Sequence, residues 1–262
     1  EKAGILRPKG TVVLLPQHPV VNETLGKEIM ARDARAVSAV KHMPSMTPGA
    51  EELGDHAASQ NQFTLAVMGK EIKVDFPLPG RHQLRNLALA ITTAEELNKF
   101  GFRIAAEDIE QGIRATSWPA RFQVIPPSDG FPEVVLDVAH NPAGAWALRS
   151  ALSTFYEGRL LTFIFGAMRD KAITEIADII FPLADRVIAT HAENPRAASP
   201  QQIAEMGAHA QTEILQAKNV QEALERACAL AGPSGVIVVT GSIYIVGEAL
   251  GILARKPVRQ GV

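Results

Sequence analysis

VVLDVAHNPAGAWALRSAL, residues 134 to 152, changes character halfway along, and that change decides how the second half of the chain is read. Val134 to Leu136 form a short apolar run suited to a buried strand, whereas Ala145, Leu148, Leu152 and Phe155 recur at helical spacing as one apolar stripe. A helix start lies between them. Asn141 suits the N-cap because its side-chain oxygen can accept an unpaired backbone N–H, and Pro142 suits the first helical position, where no N–H is needed. Asp137, His140 and Asn141 therefore fall at the carboxyl end of a strand and the mouth of a helix, where open α/β sheets bind ligands. Asp137 is equally suited to capping a turn, so ligand contact and local capping stand as alternatives at this stage.

Working outward, the same strand-to-helix alternation continues through LLTFIFGAM, DKAITEIADIIFPLA, DRVIATHA, SPQQIAEMGAHA, NVQEALERACALA, GVIVVTGS and IYIVGEALGIL. Such alternation predicts an α/β, Rossmann-like, doubly wound and mainly parallel sheet covered by helices on both faces. Upstream, SWPARFQVIPPSDGFPE (117 to 133) holds four prolines and one glycine, and reads as a linker or hinge. Before it, TVVLLP (11 to 16) reads as a strand, residues 23 to 36 as a helix, and 43 to 60 as a polar loop. QFTLAVMG and KEIKVDFPL (62 to 78) then predict a strand hairpin. In the next helix Leu84, Leu87, Ile91 and Leu97 make the apolar face and Gly101 the stop, and 105 to 116 form a shorter helix. Two domains are expected, 1–120 and 121–262.

The composition narrows the function classes. A chain of 262 residues with 47% apolar content can bury one large core or two ordinary ones. A formal charge of −2 gives no general attraction to nucleic acid or to an anionic membrane, so neither partner is expected. Cys228, the single cysteine, excludes an intrachain disulfide and falls in the helical ERACALAG, where core filling in a reducing cytoplasm is the expectation. No apolar run reaches membrane-spanning length, and EKAGILRPKG lacks the apolar core of a signal peptide.

Several catalytic signatures are absent. No G-x-G-x-x-G follows a predicted strand, since Gly241 lacks the required neighbours, and this disfavours hydride transfer. Both Gly-Lys pairs, Gly26-Lys27 and Gly69-Lys70, run into Glu, so the chain has no phosphate loop of the G-x-x-x-x-G-K-[ST] type. G-x-S-x-G and H-E-x-x-H are missing as well. Polar residues that punctuate apolar elements remain. Arg121, among Trp118, Pro119 and Phe122, could grip a phosphate or simply stack on the indole. Asn86, in the first turn of its predicted helix, could meet a base edge or face solvent. Ser242 after Gly241 suits an anion-binding corner or a plain N-cap, and Arg196 in AENPRAASP suits a carboxylate or solvent. Lys2 has no feature of spacing that marks it.

Taken in order, EKAGILRPKG, LPGRHQLRN, WPARFQVI, LDVAHNP, GAMRDKAI and VVTGSIYIVGEAL resemble the C-terminal part of the folylpolyglutamate synthase/dihydrofolate synthase group of Mur ligases, from residue 1 to about residue 250. The resemblance implies an amide-forming ligase. Mg2+ and ATP would activate the carboxylate of a folate or dihydropteroate as an acyl phosphate, which L-glutamate then attacks. It also implies that 1–120 is the latter part of a central ATPase domain and 121–262 a C-terminal Rossmann-like domain, in an enzyme that works as a monomer. Within it Asp137 would accept hydrogen bonds from the ribose, Arg121 would reach the phosphates and Asn86 the adenine. His140 would stand near the phosphates and the incoming glutamate as the catalytic candidate, with Arg196 and Ser242 on the amino-acid side. Lys2 would be carbamylated, which turns a cation into an oxygen donor for Mg2+.

The departures from the family pattern matter too. Ala120 stands where the family usually has glycine, and a positive φ there would strain the loop. The family's phosphate loop would fall upstream of Glu1, so the sequence is expected to be part of a longer chain and inactive alone. The competing readings are a non-catalytic nucleotide-binding remnant and a Mur-type ligase acting on a cell-wall precursor.

Overall fold

The computed structural model describes residues 2–44, 61–128 and 131–255, so most of the polar loop expected at 43 to 60 lies outside the described residues. The chain divides into two compact units, Glu1–Ser117 and Trp118–Val262.

In the first unit a short 3-10 helix, Lys2–Ile5, leads to β1 (Thr11–Leu14), α1 (Pro19–Ala31) and β2 (Arg35–Ser38). The two strands pair in parallel, Thr11 opposite Arg35. The helix expected at 23 to 36 is thus displaced. It starts at Pro19, whose fixed φ suits a first helical turn. It stops before Asp33, which turns the chain at φ 50 into a strand that the sequence reading missed. A hairpin follows, β3 (Gln62–Val67) and β4 (Lys70–Asp75). Its two-residue turn has positive φ at both Met68 and Gly69, the twist that two-residue hairpins prefer. α2 (Arg81–Asn98) and α3 (Ala106–Arg114) complete the unit, and Leu87, Ile91, Ile109 and Ile113 pack onto Val67, Ile72 and Val74 of the hairpin.

The second unit begins with β5 (Gln123–Ile125), β6 (Glu133–Leu136), α4 (Pro142–Phe155), β7 (Leu161–Phe165) and α5 (Ile173–Ile180). It continues with β8 (Arg186–Ala189), α6 (Pro200–Gly207), β9 (Ile214–Gln216), α7 (Val220–Ala231), β10 (Val236–Thr240) and α8 (Ile243–Arg255). One six-stranded sheet results, in the order β5-β6-β10-β7-β8-β9, parallel throughout except for the β5–β6 edge. Alternate strand residues feed two separate cores. Val135, Phe163 and Val238 meet α4, α5 and α6 on one face, whereas Leu136, Ile164 and Val239 meet α7 and α8 on the other. This is the doubly wound three-layer α/β arrangement. Phe165 and Phe181 illustrate its packing: both are fully buried and meet edge to face at 5.2 Å, a pair worth about 0.5–1.5 kcal/mol beyond its area.

Two expectations need correction here. The proline-rich stretch is not simply a linker, because Ala120 and Phe122 are buried and β5 adds to the sheet edge. The strand β9 was not anticipated: three residues on an edge give too little periodicity to register.

Candidate active site at the sheet rim

The helices that follow β6 and β7 cover one face, while α8, which follows the intervening β10, covers the other. The chain therefore diverges to either side of β10 at the carboxyl rim, the place where such sheets take ligands.

Asp137 is the first residue past β6, and its N–H still donates to the Val239 carbonyl of β10 at 3.1 Å. Its Oδ1 accepts the Ala139 N–H and its Oδ2 the Phe122 N–H, each at 2.9 Å. The turn-capping role is real, yet each oxygen keeps a second lone pair. The residue is half-buried but its carboxyl is enclosed, and that loss of hydration pushes its pKa up to about 6. The two backbone donors and the charges of Arg121 and His140 pull the other way without winning.

Arg121 sits between two non-glycine residues in the left-handed region, Ala120 at φ 61 and Phe122 at φ 51. Each such conformation costs roughly 1–2 kcal/mol for an L-residue and persists only where the surroundings enforce it. Here the surroundings are specific. Ala120 donates its N–H to Gln123 Oε1 and accepts from the Val138 N–H, and the Phe122 ring packs on Phe155 and Tyr156. The guanidinium lies 5.8 Å from the centre of the exposed Trp118 ring, so the stacking expected as an alternative is present. Stacking holds one face of the guanidinium and leaves its edge donors available.

The helix start behaves as the sequence predicts. Asn141 caps α4 by accepting the Gly144 N–H at 2.8 Å, with Pro142 as the first helical residue. The exposed His140 places Nδ1 3.0 Å from the Val138 carbonyl, which assigns the proton to Nδ1 and leaves Nε2 as an acceptor, 3.4 Å from the Asn141 amide.

Across β10, Gly241 turns the chain at φ 104, and an added Cβ would come within 2.6 Å of the Phe165 ring and 2.7 Å of the Gly166 carbonyl. Ser242 is buried and caps α8, its Oγ accepting from the Tyr244 N–H at 3.2 Å. Arg196, in the exposed loop after β8, donates to the Tyr244 hydroxyl at 3.4 Å rather than standing solvated and unattached. That loop is strapped to the one after β7 by the Arg169 N–H on the Arg196 carbonyl and the Ala198 N–H on the Ala167 carbonyl, both at 2.9 Å. Tyr244 was missed in the sequence; its only mark is an exposed aromatic two residues past a capping serine.

The other candidates belong to the first unit. Asn86 lies in the second turn of α2, not the first; it is exposed, and its amide donates to Gln83 Oε1 at 2.9 Å. Lys2 opens the N-terminal 3-10 helix, and its side chain lies outside what is described. Among the described residues no group of three or more His, Cys, Asp or Glu side chains could hold a metal, and no helix is long and apolar enough to cross a membrane.

Residues 120–243, which run from the strained loop to the start of α8, match the Mur ligase, glutamate ligase domain, so the second unit carries that domain. Its relatives narrow the class. The chain is 35% identical to folylpolyglutamate synthase of Lacticaseibacillus casei over 179 residues, which is 68% of this chain and 40% of that protein. It is 27% identical over 290 residues to the dihydrofolate synthase/folylpolyglutamate synthase of Mycobacterium tuberculosis, covering 98% of this chain and 56% of that one. The crystal structures of Mycobacterium tuberculosis folylpolyglutamate synthase complexed with ADP and AMPPCP share the fold with a TM-score of 0.78 at 27% identity, over 94% of this chain and 56% of that one. The chain thus spans about half the length of these relatives.

Proposed function

We propose that this chain forms the nucleotide-facing and amino-acid-facing part of an ATP-dependent ligase that joins L-glutamate to the carboxylate of a folate or dihydropteroate through an acyl phosphate. The observation that carries this reading is the pairing of Asp137 with the Arg121 loop at one rim: the carboxyl is fixed by the Phe122 N–H and feels the Arg121 charge. An acceptor and a guanidinium so placed suit the ribose hydroxyls and the phosphates of one nucleotide. The solved relative complexed with ADP and AMPPCP supports the same ligand class.

The remaining roles follow from chemistry and position. His140, with Nε2 as an acceptor, can orient or deprotonate the incoming ammonium group. Arg196, held by Tyr244, and Ser242, at the head of α8, suit the carboxylates of glutamate. Asn86 would contact the adenine edge. Of this chain's residues, a carbamylated Lys2 would offer Mg2+ an oxygen donor, the ligand type that ion prefers. When bound, the ion would neutralise phosphate charge; Arg121 does the same from the protein side. A monomer in the cytoplasm is the setting proposed for this chemistry, and Cys228, packed against a core, needs no oxidising compartment.

The test has two parts. Calorimetry of the chain with Mg-ATP is expected to show binding that Asp137→Ala weakens at least tenfold. Glutamate-dependent release of ADP is then measured with tetrahydrofolate, dihydropteroate and a cell-wall precursor peptide in turn. Binding without turnover would make the chain a nucleotide-binding module, turnover only with the peptide would move it to another branch of the Mur ligases, and no binding at all would overturn the reading.

A further inference from the structure

β10 reads Val-Ile-Val-Val-Thr, with all five residues fully buried, and Thr240 ends this apolar run with a hydroxyl that has no hydrogen-bond partner. An enclosed hydroxyl without a partner is destabilising, and valine would fill the same space without that penalty. The position of Thr240 supplies the reason for a hydroxyl. Leu136 of β6 is opposite Val239 of β10, and the Asp137 N–H extends the ladder by donating to the Val239 carbonyl, so Thr240 stands level with Asp137. Val135 and Val238 share one core while Leu136 and Val239 share the other. One residue further on, the Asp137 and Thr240 side chains therefore emerge side by side on the same face of the sheet. Each Asp137 oxygen accepts one backbone N–H and has a lone pair to spare.

We propose that Thr240 is a positioning residue for Asp137, its hydroxyl turning to donate to the carboxylate once that group is ionised and so holding it for a ligand at the rim. The groups that act on Asp137 are the Phe122 and Ala139 N–H donors and the charges of Arg121 and His140; Thr240 adds a neutral donor from the third side, that of β10. The ligand part of this inference rests on the reading of Asp137 as a ribose acceptor. The hydrogen bond itself does not.

The experiment is therefore built on the titration of Asp137 in the unliganded chain, followed by carboxyl carbon chemical shifts in the native protein and in Thr240→Val, Thr240→Ala and Thr240→Ser. Val and Ala are expected to move the Asp137 midpoint upward by about one pH unit, and Ser to restore it. A role in packing alone would lower the melting temperature and leave that midpoint where it was, and an unchanged midpoint in both Val and Ala overturns the proposal. Ala guards against a Val variant that fails to fold. Mg-ATP affinity at pH 7 then distinguishes the two layers. A several-fold loss in Thr240→Val, rescued by Ser, extends the hydrogen bond to the ligand. If Asp137→Ala binds nucleotide normally, the ribose reading fails while the titration still decides the role of Thr240.

Discussion

The backbone N–H of Phe122 donates to Oδ2 of Asp137 at 2.9 Å, joining a strained loop to the rim of β6. Because the donor belongs to a residue at positive φ, the carboxyl and the loop conformation depend on each other. Moving either one should disturb the aim of Arg121, which lies between Ala120 and Phe122.

Stability should depend on pH through Asp137. Its folded pKa of about 6 lies above the ordinary aspartate value of 3.8, so ionisation is harder in the folded state than in the unfolded one. The associated stability is fully present below about pH 3.8 and is lost as the pH rises through 6, for a total of up to about 3 kcal/mol. Urea unfolding of the native protein and Asp137→Asn at pH 4 and pH 7 reads this directly. The native protein is expected to lose ground relative to Asn over that interval, whereas parallel curves would contradict the assignment.

Arg121→Ala should weaken ATP binding by roughly 10- to 100-fold, the equivalent of one charge-assisted contact, while adenosine binding changes little. Calorimetry with the two ligands separates a phosphate contact from packing on Trp118. An equal loss for both ligands would point to collapse of the loop.

Ala120→Gly is expected to be nearly neutral, within about 1 kcal/mol. Relief of the left-handed strain at φ 61 is offset by the greater chain entropy of glycine when unfolded and by the loss of a buried methyl. Thermal denaturation measures the balance. A large gain would mean that this loop stores more strain than its single dihedral suggests.

Gly241→Ala should destabilise by about 3 kcal/mol or more. The added methyl meets the Phe165 ring and the Gly166 carbonyl inside normal contact distance, at a φ of 104 that alanine resists. Circular dichroism melts should show a clear drop for this variant and almost none for Gly247→Ala, where space is open around the helix.

What could be read in advance was whatever depends on neighbours along the chain. The Asn141-Pro142 helix start, the alternation of strands and helices in the second unit and the Met68-Gly69 hairpin all follow from capping, periodicity and turn chemistry within a few residues. β2, β5 and β9 were missed because three- or four-residue strands exist by virtue of their partners, which the local sequence does not contain. At the sheet rim, Asp137, His140, Arg121, Ser242 and Arg196 could be singled out as candidates from motif and resemblance, but their ties could not. The Phe122 N–H on Asp137 and the Arg196 guanidinium on the Tyr244 hydroxyl span 15 and 48 residues. Positive φ at Phe122 was equally hidden, since an aromatic side chain argues against it.

The position of β10 has a consequence for how this sheet comes into being. It is the last strand in sequence yet lies between β6 and β7, so until it inserts, the β5–β6 pair and the β7–β8–β9 trio are two unconnected ribbons. A ribosome must release nearly the whole of this unit before the gap can close, which makes the rim the final part of the domain to take shape and ties its assembly to the slowest, longest-range contacts. Removing the chain from Val236 onward would take out the middle of the sheet and its rim rather than trim an edge.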